Sequence, residues 1–466
     1  MSVEKGFDDF RKFVKGKTFS VIGIGVSNAP LVSLLAECGA SAIVARDRLP
    51  EEKLSCRNEL SGAGARFVCG DGYLSGIKED VIIKSPGIRP DIPEFVSAIR
   101  EGAFLTSEME LFFEYCPAKI FAVTGSDGKT TTTTLISKLL EAAGHRVFLG
   151  GNIGEPLLPR LGMITPGDFV VCELSSFQLM TMRRSPDIAV ITNLSENHLD
   201  WHRGMEEYID AKSNILRYQP VRSIAILNYD NEYTRSLASS ARGEVRFFSS
   251  KSTLKGCREG AYLSDGNFYS VKDSAASFLF ERKELLLPAV HNAENLMAAY
   301  LSVRDYVGVP ELVKVASSFG GVEHRLELVR ELDGVRYYNG SMDSSPARTA
   351  AALQAFPEKV IVICGGYDKH LNYAPLAKPL CDHAKVCVLC GQTSDKIFNA
   401  LKGFPGFDPE SLKVYREDTF EGAVARARAS SAPGDTVLLS PASASFDMFK
   451  NFDERGKRFK QLVNSF

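Results

Sequence analysis

Short apolar runs alternate with longer segments of helical periodicity along nearly all of the 466 residues. This alternation is typical of βαβ units, in which helices connect parallel strands and cover both faces of a doubly wound sheet. At about 150 residues per domain, a chain of this length is expected to form about three domains. The sequence therefore predicts an α/β protein with several parallel sheets.

The apolar runs fall into three blocks. The first opens with FSVIGIG at Phe19–Gly25, the second opens with IFAVTGS at Ile120–Ser126, and the third begins around Gly321. Further strands are predicted at 41–45, 81–85, 169–175, 188–194, 224–229, 335–340, 359–366, 385–391 and 436–441, with a helix at 291–303. Linkers are predicted near 107–118 and 318–326. We therefore predict a Rossmann-like domain at 1–110, a central domain with a phosphate-binding parallel sheet at 111–320, and a Rossmann-like α/β domain at 321–466.

The bulk composition excludes several classes of protein. The net charge is −2, so no overall basic field indicates nucleic acid or anionic lipid as a partner. No signal-peptide core is visible at the N-terminus, and no apolar run approaches the roughly 20 residues that cross a bilayer. The ten cysteines are scattered and are expected to be reduced, and Cys387 and Cys390 are predicted to lie in a buried strand. We expect a cytoplasmic protein.

The segment FAVTGSDGKTTTTTLI at Phe121–Ile136 resembles a phosphate-binding loop with shortened spacing. The common loop reads G-x-x-x-x-G-K-[ST], whereas this one reads G-x-x-G-K-T from Gly125 to Thr130. Glycines let the backbone approach an anion, and a helix N-terminus offers unpaired N–H groups and the positive end of a dipole. Lys129 adds a positive charge, and Thr130 adds a hydroxyl suited to Mg²⁺. A phosphate site is predicted here.

The turn GIGVSNAP at Gly23–Pro30 also follows a predicted strand. It resembles the dinucleotide pattern G-x-G-x-x-G, but Asn28 fills the third glycine position. The helix that follows could bind a diphosphate at its N-terminus, and a Rossmann-like turn without a ligand is the alternative. The residues alone leave both interpretations open.

A carboxylate and an imidazole follow two neighbouring predicted strands. Glu173 lies in CELSSFQL, and His198 lies in ITNLSENHLDWH. Ligands bind at the carboxyl ends of parallel strands, and a carboxylate there suits Mg²⁺ on nucleotide phosphates. From composition alone, Lys212 in the helical segment YIDAKSNIL would be a surface lysine.

Taken together, these motifs resemble a known family. Besides the glycine loop, the chain contains GNIG at 151–154, HNAEN at 291–295, HRLE at 324–327, GGYDK at 365–369 and LSPASASFDMFKNFDERG at 439–456, in this order. The set is similar to the Mur ligases, ATP-dependent amide ligases of peptidoglycan precursor synthesis, over essentially the whole chain. The two C-terminal segments are similar to the branch that adds D-glutamate to UDP-N-acetylmuramoyl-L-alanine.

The resemblance implies three domains that bind UDP-sugar, ATP with Mg²⁺, and the incoming amino acid, in a protein expected to be a monomer. It implies two Mg²⁺ ions and a carbamylated Lys212, which overrides the interpretation of Lys212 as a surface residue. The implied catalytic residues are Lys129, Glu173, His198 and Lys212. The implied ATP site comprises Gly125, Ser126, Asp127, Gly128, Lys129, Thr130, Thr131, Asn292, Asn295 and Arg325. The implied metal ligands are Thr130, Glu173, His198 and Lys212. The implied substrate site comprises Val26, Ser27, Arg48 and Gly87 for the UDP-sugar, Asn152 for the substrate near the reacting centre, and Ser344, Lys369, Ser445 and Phe452 for D-glutamate.

The sequence departs from the family pattern N-D-S-K-A-T-N at Asn339–Ser345. Gly340 and Met342 replace an acid and a lysine used near the nucleotide, and Asp343 is a candidate to compensate for one of them. Asp127 replaces the usual asparagine in the glycine loop. Within the class, the alternatives are another Mur ligase or a folylpolyglutamate synthase; outside it, they are a catalytically inactive nucleotide-binding module and a small-molecule ATPase or kinase.

Overall fold

The structure is a computed structural model that describes residues 6–25, 28–197, 201–287 and 289–466. The chain divides into two compact units, Met1–Phe319 and Gly320–Phe466. Strands and helices alternate in both units, so the predicted α/β class with parallel sheets is confirmed. None of the helices formed by the described residues is long and apolar enough to cross a membrane.

The first sheet contains five parallel strands in the order β3-β2-β1-β4-β5. The strands are β1 (Thr18–Ile22), β2 (Ala42–Asp47), β3 (Arg66–Cys69), β4 (Val81–Lys84) and β5 (Phe104–Thr106). The helices are α1 (Phe7–Val14), α2 (Ala29–Glu37), α3 (Arg57–Gly62), α4 (Pro93–Arg100) and α5 (Glu108–Tyr115). The strand order reverses at β1, which is where an open α/β sheet leaves a crevice for a ligand.

The second sheet contains nine strands in the order β14-β13-β12-β11-β10-β9-β6-β8-β7. They are β6 (Lys119–Thr124), β7 (Val147–Gly151), β8 (Phe169–Glu173), β9 (Ile188–Ile191), β10 (Ile224–Asn228), β11 (Glu244–Ser249), β12 (Gly260–Ser264), β13 (Asn267–Lys272) and β14 (Ala275–Glu281). The helices are α6 (Lys129–Ala142), α7 (Ser176–Leu179), α8 (Met205–Arg217), α9 (Glu232–Ser236), α10 (Val290–Val303) and α11 (Val309–Ser318). Here the order reverses at β6, the strand that carries the glycine loop.

The third sheet lies in the second unit and has the order β15-β16-β20-β17-β18-β19. Its strands are β15 (Glu327–Leu332), β16 (Val335–Asn339), β17 (Val360–Cys364), β18 (Ala384–Leu389), β19 (Lys413–Arg416) and β20 (Thr436–Leu439). Its helices are α12 (Pro346–Leu353), α13 (Ala374–His383), α14 (Ser394–Lys402), α15 (Phe420–Ala429) and α16 (Phe452–Asn464). All pairs are parallel except β15 with β16. Cys387 and Cys390 are buried in and just after β18, as predicted, and all ten cysteines are free.

The predicted linker at 107–118 is instead a packed helix. Ser107 caps α5 by accepting a hydrogen bond from the Glu110 N–H, and Met109, Leu111 and Phe112 are buried. These side chains belong to one hydrophobic core that runs through both the first and the second sheet. The prediction was wrong because the short EMELFFEY segment has apolar residues on both helix faces and lacks a clear period.

The three strands β12, β13 and β14 form an antiparallel extension that the sequence interpretation missed. Asp265 and Gly266 between β12 and β13 both have positive φ, and so do Asp273 and Ser274 between β13 and β14. Such pairs form the tight hairpin turns that match strand twist, and Asp-Gly is a strong sequence signal for them. The extension lies at the end of the sheet opposite to β7.

Candidate functional site

The turn between β6 and α6 requires glycine at two positions. Gly125 has φ +150°, and a Cβ there would lie 1.9 Å from Thr192 Oγ1. Gly128 has φ +75°, and a Cβ there would lie 2.3 Å from Asn295 Oδ1. The chain therefore comes into close contact with its neighbours on both sides of the turn, and α6 begins directly afterwards at Lys129.

The loop after β9 braces this turn. The Ser126 N–H donates to the Asn193 carbonyl at 2.9 Å, and the Asp127 N–H donates to Asn193 Oδ1 at 3.0 Å. Thr192 Oγ1 donates to the Asp127 carbonyl at 2.6 Å. The predicted phosphate loop is thus held in one conformation by its neighbouring strand. Its Asp127, exposed to solvent, contributes only backbone atoms to these bonds.

Three predicted residues meet at the carboxyl ends of β6, β7 and β8. Thr130 Oγ1 donates to Glu173 Oε2 at 2.7 Å, and Asn152 Nδ2 donates to Glu173 Oε1 at 2.8 Å. Glu173 is 2% exposed. A hydroxyl and a carboxylate in contact at the start of a helix are oxygen ligands of the kind that Mg²⁺ prefers. Lys129 Nζ turns back onto the Ser126 carbonyl at 2.8 Å, so the cation lies over the same turn.

Lys212 is buried beneath the turn, so its interpretation as a surface lysine from composition is wrong. It is 2% exposed, and its Nζ donates to Gly125 O at 2.9 Å and Thr124 Oγ1 at 3.1 Å. Burial lowers the pKa of Lys212 from 10.5 to about 7, and the charge of Lys129 acts in the same direction. A neutral amine is the form that attacks carbon dioxide, so this environment suits a carbamate.

Asn295 fixes α10 against the start of α6. Its side chain is buried, and Oδ1 accepts from Thr132 Oγ1 at 3.2 Å. Asn292 lies one turn earlier on the same helix and is partly exposed. Of the residues predicted for the nucleotide, Asn295 lies beside Gly128 of the glycine turn, whereas Arg325 belongs to the second unit.

The corresponding turn of the first sheet is bound by the protein's own side chains. The Ile24 N–H donates to Asp47 Oδ2 at 2.7 Å, and Asn28 Nδ2 donates to the carbonyls of Ile22 and Gly23 at 3.2 and 3.0 Å. The predicted Arg48 and Gly87 are exposed after β2 and β4, at the same edge of the sheet. The predicted Val26, Ser27 and His198 lie outside the described residues.

In the second unit, the loop after β20 carries the predicted site residue Ser445. Ser445 is 1% exposed, and its Oγ has no hydrogen-bond partner among the described residues. An unpaired buried hydroxyl is costly, and a polar ligand would satisfy it. Lys369 Nζ lies 5.3 Å from the centre of the neighbouring Phe446 ring, and Phe452 is 42% exposed at the start of α16. Ser344 lies in the turn before α12 and is partly exposed.

Arg455 is a buried residue of this region that the sequence interpretation missed. Its guanidinium donates to the carbonyls of Ser443 and Ala444 and to Oγ and the carbonyl of Ser341. It therefore ties the loop of Ser445 to the turn after β16. The only available signal was the resemblance, because an arginine in FDERG is otherwise typical of an exposed helix residue.

The departures at 340–343 have a geometric explanation. A Cβ at Gly340 would lie 2.5 Å from Asp343 Oδ2, so the carboxyl of Asp343 occupies the space of a side chain at position 340. Ser440 Oγ donates to this carboxyl at 2.8 Å, and burial raises the pKa of Asp343 from 3.8 to about 6. The replacement of a lysine by Met342 has no such explanation in the part of the chain that the structure describes.

The side chains of Glu323, His324 and Glu327 lie close enough together to hold a cation, but each of them already contacts other side chains of the protein. His324 Nδ1 contacts Asn339 Nδ2 at 2.9 Å, and Nε2 contacts Asp453 Oδ1 at 3.1 Å. Lys460 pairs with both glutamates. The HRLE motif therefore joins the turn before β15 to α16.

Comparisons with known proteins identify the family of the chain. Residues 123–303 match the model of the Mur ligase middle domain, and residues 324–443 match that of the Mur ligase, glutamate ligase domain. The chain is 48% identical over 462 residues to a UDP-N-acetylmuramoylalanine–D-glutamate ligase of Ruminiclostridium cellulolyticum, covering 98% of both chains. It is 43% identical over 464 residues to the enzyme of that name from Clostridium perfringens, covering 99% and 100%.

Solved structures share the fold at lower identity. The UDP-N-acetylmuramate-alanine ligase of Thermotoga maritima superposes with a TM-score of 0.51 at 19% identity, covering 96% of this chain and 99% of that one. A UDP-N-acetylmuramoyl-L-alanyl-D-glutamate–2,6-diaminopimelate ligase gives 0.52 at 17% identity, covering 98% and 93%. The resemblance predicted from the motifs is confirmed, and the chain belongs to the Mur ligase family.

Proposed function

We propose that the protein is an ATP-dependent ligase that joins D-glutamate to UDP-N-acetylmuramoyl-L-alanine. Mur ligases use ATP and Mg²⁺, and curated relatives that are 43–48% identical over nearly the whole chain carry this activity in their names. The observation that carries the proposal is the junction of Thr130, Glu173 and Asn152 beside a glycine turn, with Lys212 buried beneath it.

The chemistry explains why a phosphate loop serves amide synthesis. A carboxylate resists attack by an amine because its carbon is electron-rich and oxide is a poor leaving group. Attack of the substrate carboxylate on the γ-phosphorus of ATP releases ADP and forms an acyl phosphate. The amine of D-glutamate then attacks the carbonyl carbon, and the tetrahedral intermediate expels inorganic phosphate and leaves an amide.

In this proposal, the residues of the glycine loop stabilise the charge that develops on the phosphoryl group. The N–H groups at the start of α6 and the ammonium of Lys129 point their positive charge at the phosphates. Asn152 contacts the substrate near the reacting carboxylate. Asn292 and Asn295 belong to the nucleotide site of the first unit, and a role of Arg325 at the nucleotide stays a prediction from the sequence.

Glu173 and Thr130 fit a divalent cation because both present oxygen atoms at the edge of the sheet. They would hold Mg²⁺ together with His198 and a carbamylated Lys212, with two ions in all. Mg²⁺ would neutralise charge on the phosphate oxygens. The lowered pKa of Lys212 supports the carbamate, because a larger fraction of the amine is neutral near pH 7.

The remaining predicted residues supply the two other substrates. Val26, Ser27, Arg48 and Gly87 bind the UDP-sugar at the first sheet. Lys369 pairs with the side-chain carboxylate of D-glutamate, Ser445 offers its unpaired hydroxyl, and Ser344 and Phe452 complete that site. The boundaries 1–110, 111–320 and 321–466, a monomeric state and a cytoplasmic location stay predictions.

The test is a phosphate-release assay with each substrate omitted in turn. We expect release only when both UDP-N-acetylmuramoyl-L-alanine and D-glutamate are present. L-lysine and diaminopimelate as alternative amines distinguish the other Mur ligases, and a folate substrate distinguishes the folylpolyglutamate synthase. Release without any acceptor would favour a simple ATPase, and no release under any combination would favour an inactive nucleotide-binding module.

A further inference from the structure

The guanidinium of Arg89 uses all of its five N–H donors in hydrogen bonds. Nε and Nη2 donate to the two oxygens of Asp91, two residues further along the same loop, at 2.9 and 3.0 Å. Nη1 and Nη2 donate to the two oxygens of Glu207 at 3.2 and 2.9 Å, and Nη1 also donates to the Trp201 carbonyl at 3.0 Å. One side chain of the loop after β4 is therefore bound to the segment that leads into α8.

A second set of contacts joins the same two segments. Trp201 Nε1 donates to the Gly87 carbonyl at 3.2 Å, and the indole ring lies 5.0 Å from the Arg89 guanidinium. Phe177 contacts the indole in an edge-to-face arrangement, with ring centres 4.6 Å apart. The backbone of Gly87 is thus bound by a side chain that itself packs against α7.

Glu207 is anchored where α8 begins. It accepts a further bond from the Arg203 N–H at 2.8 Å, and the hydrogen bond from Arg89 lowers the pKa of Glu207 to about 2. Arg89 and Glu207 therefore form an ion pair near pH 7. Lys212 lies five residues further along the same helix.

We infer that Arg89 is a positioning residue that sets the distance between the UDP-sugar site and the phosphate site. This inference rests on the proposed function. The loop of Gly87 touches the UDP-sugar in that proposal, and Lys212 on α8 serves the metal. A bidentate arginine–carboxylate pair has a fixed geometry. It therefore fixes the relative position of the two segments that it joins, in addition to attracting them to each other. Phosphoryl transfer needs its reacting atoms aligned, and misplacement by about 1 Å can cost on the order of 10²-fold in rate.

The test compares three variants with the unchanged protein. In Arg89→Ala, we expect the KM for UDP-N-acetylmuramoyl-L-alanine to rise and kcat to fall, each by about tenfold, while the KM for ATP changes less than about twofold. Arg89→Lys keeps the charge but cannot reproduce the five-bond fork, so it should recover only part of the loss. Arg100→Ala, an exposed arginine on α4 of the same sheet, is the control and should behave like the unchanged protein.

The single tryptophan of the chain supplies a readout of the contact itself. Binding of the UDP-sugar should change Trp201 emission in the unchanged protein and much less in Arg89→Ala. Should Arg89→Ala fail to fold, Trp201→Phe removes the hydrogen bond to Gly87 and alters the ring contact with Arg89, and it should raise the KM for the UDP-sugar about threefold.

Two results would overturn the inference and are distinguishable. A lower melting temperature of Arg89→Ala with unchanged kcat and KM would reduce Arg89 to a stabilising residue and leave the proposed function intact. Absence of D-glutamate-dependent phosphate release in the unchanged protein would overturn the proposed function, and the inference would fall with it.

Discussion

The turns after β1 and β6 share a backbone design but differ in their side chains. Each follows the strand at which its sheet order reverses, and each has a glycine with positive φ, Gly23 in one and Gly125 in the other. After β1, the side chains of Asp47 and Asn28 bind the backbone of the turn. After β6, the bracing comes from the neighbouring loop, and the helix start carries a cation and a hydroxyl instead. The residues at the helix start, rather than the shape of the turn, distinguish the proposed triphosphate site from the turn after β1.

A buried lysine lies near each turn, Lys84 near the turn after β1 and Lys212 near the turn after β6. The largest loss of turnover is expected when Lys212 is replaced. Lys212→Ala should be nearly inactive, because it removes the proposed carbamate ligand of Mg²⁺, and added short carboxylates should partly restore turnover. Glu206→Ala, an exposed residue on the same helix, is the matched control. Steady-state turnover with and without acetate measures the effect, and full activity of Lys212→Ala without additives would end the carbamate hypothesis.

The cation at the start of α6 should come next in size. Lys129→Ala should lower turnover by on the order of 10²–10³, since it removes a charge that stabilises the transferring phosphoryl group. Lys138→Ala changes an exposed lysine further along the same helix and should leave turnover unchanged. Near-normal turnover of Lys129→Ala would show that this residue has no part in the mechanism. The cation would then no longer distinguish the turn after β6 from the turn after β1 in function.

Two alanine substitutions test whether a glycine is needed for folding or for binding a ligand. Gly128→Ala should lower both stability and turnover, because its Cβ would collide with Asn295 and its φ is positive. At Gly25, an added Cβ would meet no described atom within 4 Å, so Gly25→Ala should keep the melting temperature. If a diphosphate approaches the first turn, the KM of Gly25→Ala for the UDP-sugar should rise about tenfold. An unchanged KM would support a turn that binds no ligand.

The smallest effect concerns stability and the buried lysine beside the first turn. Burial lowers the pKa of Lys84 from 10.5 to about 8, so below pH 8 the folded protein must hold a charged amine at a cost of about 3 kcal/mol, at about 1.4 kcal/mol per pKa unit. Between about pH 8 and 10.5, the unfolded chain binds more protons than the folded protein, and stability from this residue rises with pH. Lys84→Met should therefore be more stable near pH 7, and its advantage should shrink as the pH rises to 10.5. Urea unfolding at several pH values measures this, and a gain independent of pH would contradict it.

Sequence reasoning succeeded where chemistry is local. The apolar runs at 19–25 and 120–126 became β1 and β6, and the glycine spacing placed the turn before α6 correctly, because strand, turn and helix signals lie within one short segment. Composition alone failed for Lys212, and only the family resemblance overrode it, since burial of a lysine depends on Thr124 and Gly125, which are far from it in sequence. The hydrogen bonds of Asp343 and Arg455 could not be predicted from the sequence either, because they connect segments that come together only in the folded unit.

The contact between Thr132 and Asn295 has a consequence for how the protein is made. The two residues are 163 positions apart in sequence, yet the side chain of Asn295 packs directly against Gly128 of the glycine turn. At 5–20 residues per second, a ribosome needs roughly 10–30 s to travel that distance. During this interval the glycine loop of the nascent chain lacks its contact with Asn295. A fragment released before α10 is made should therefore have little affinity for nucleotide.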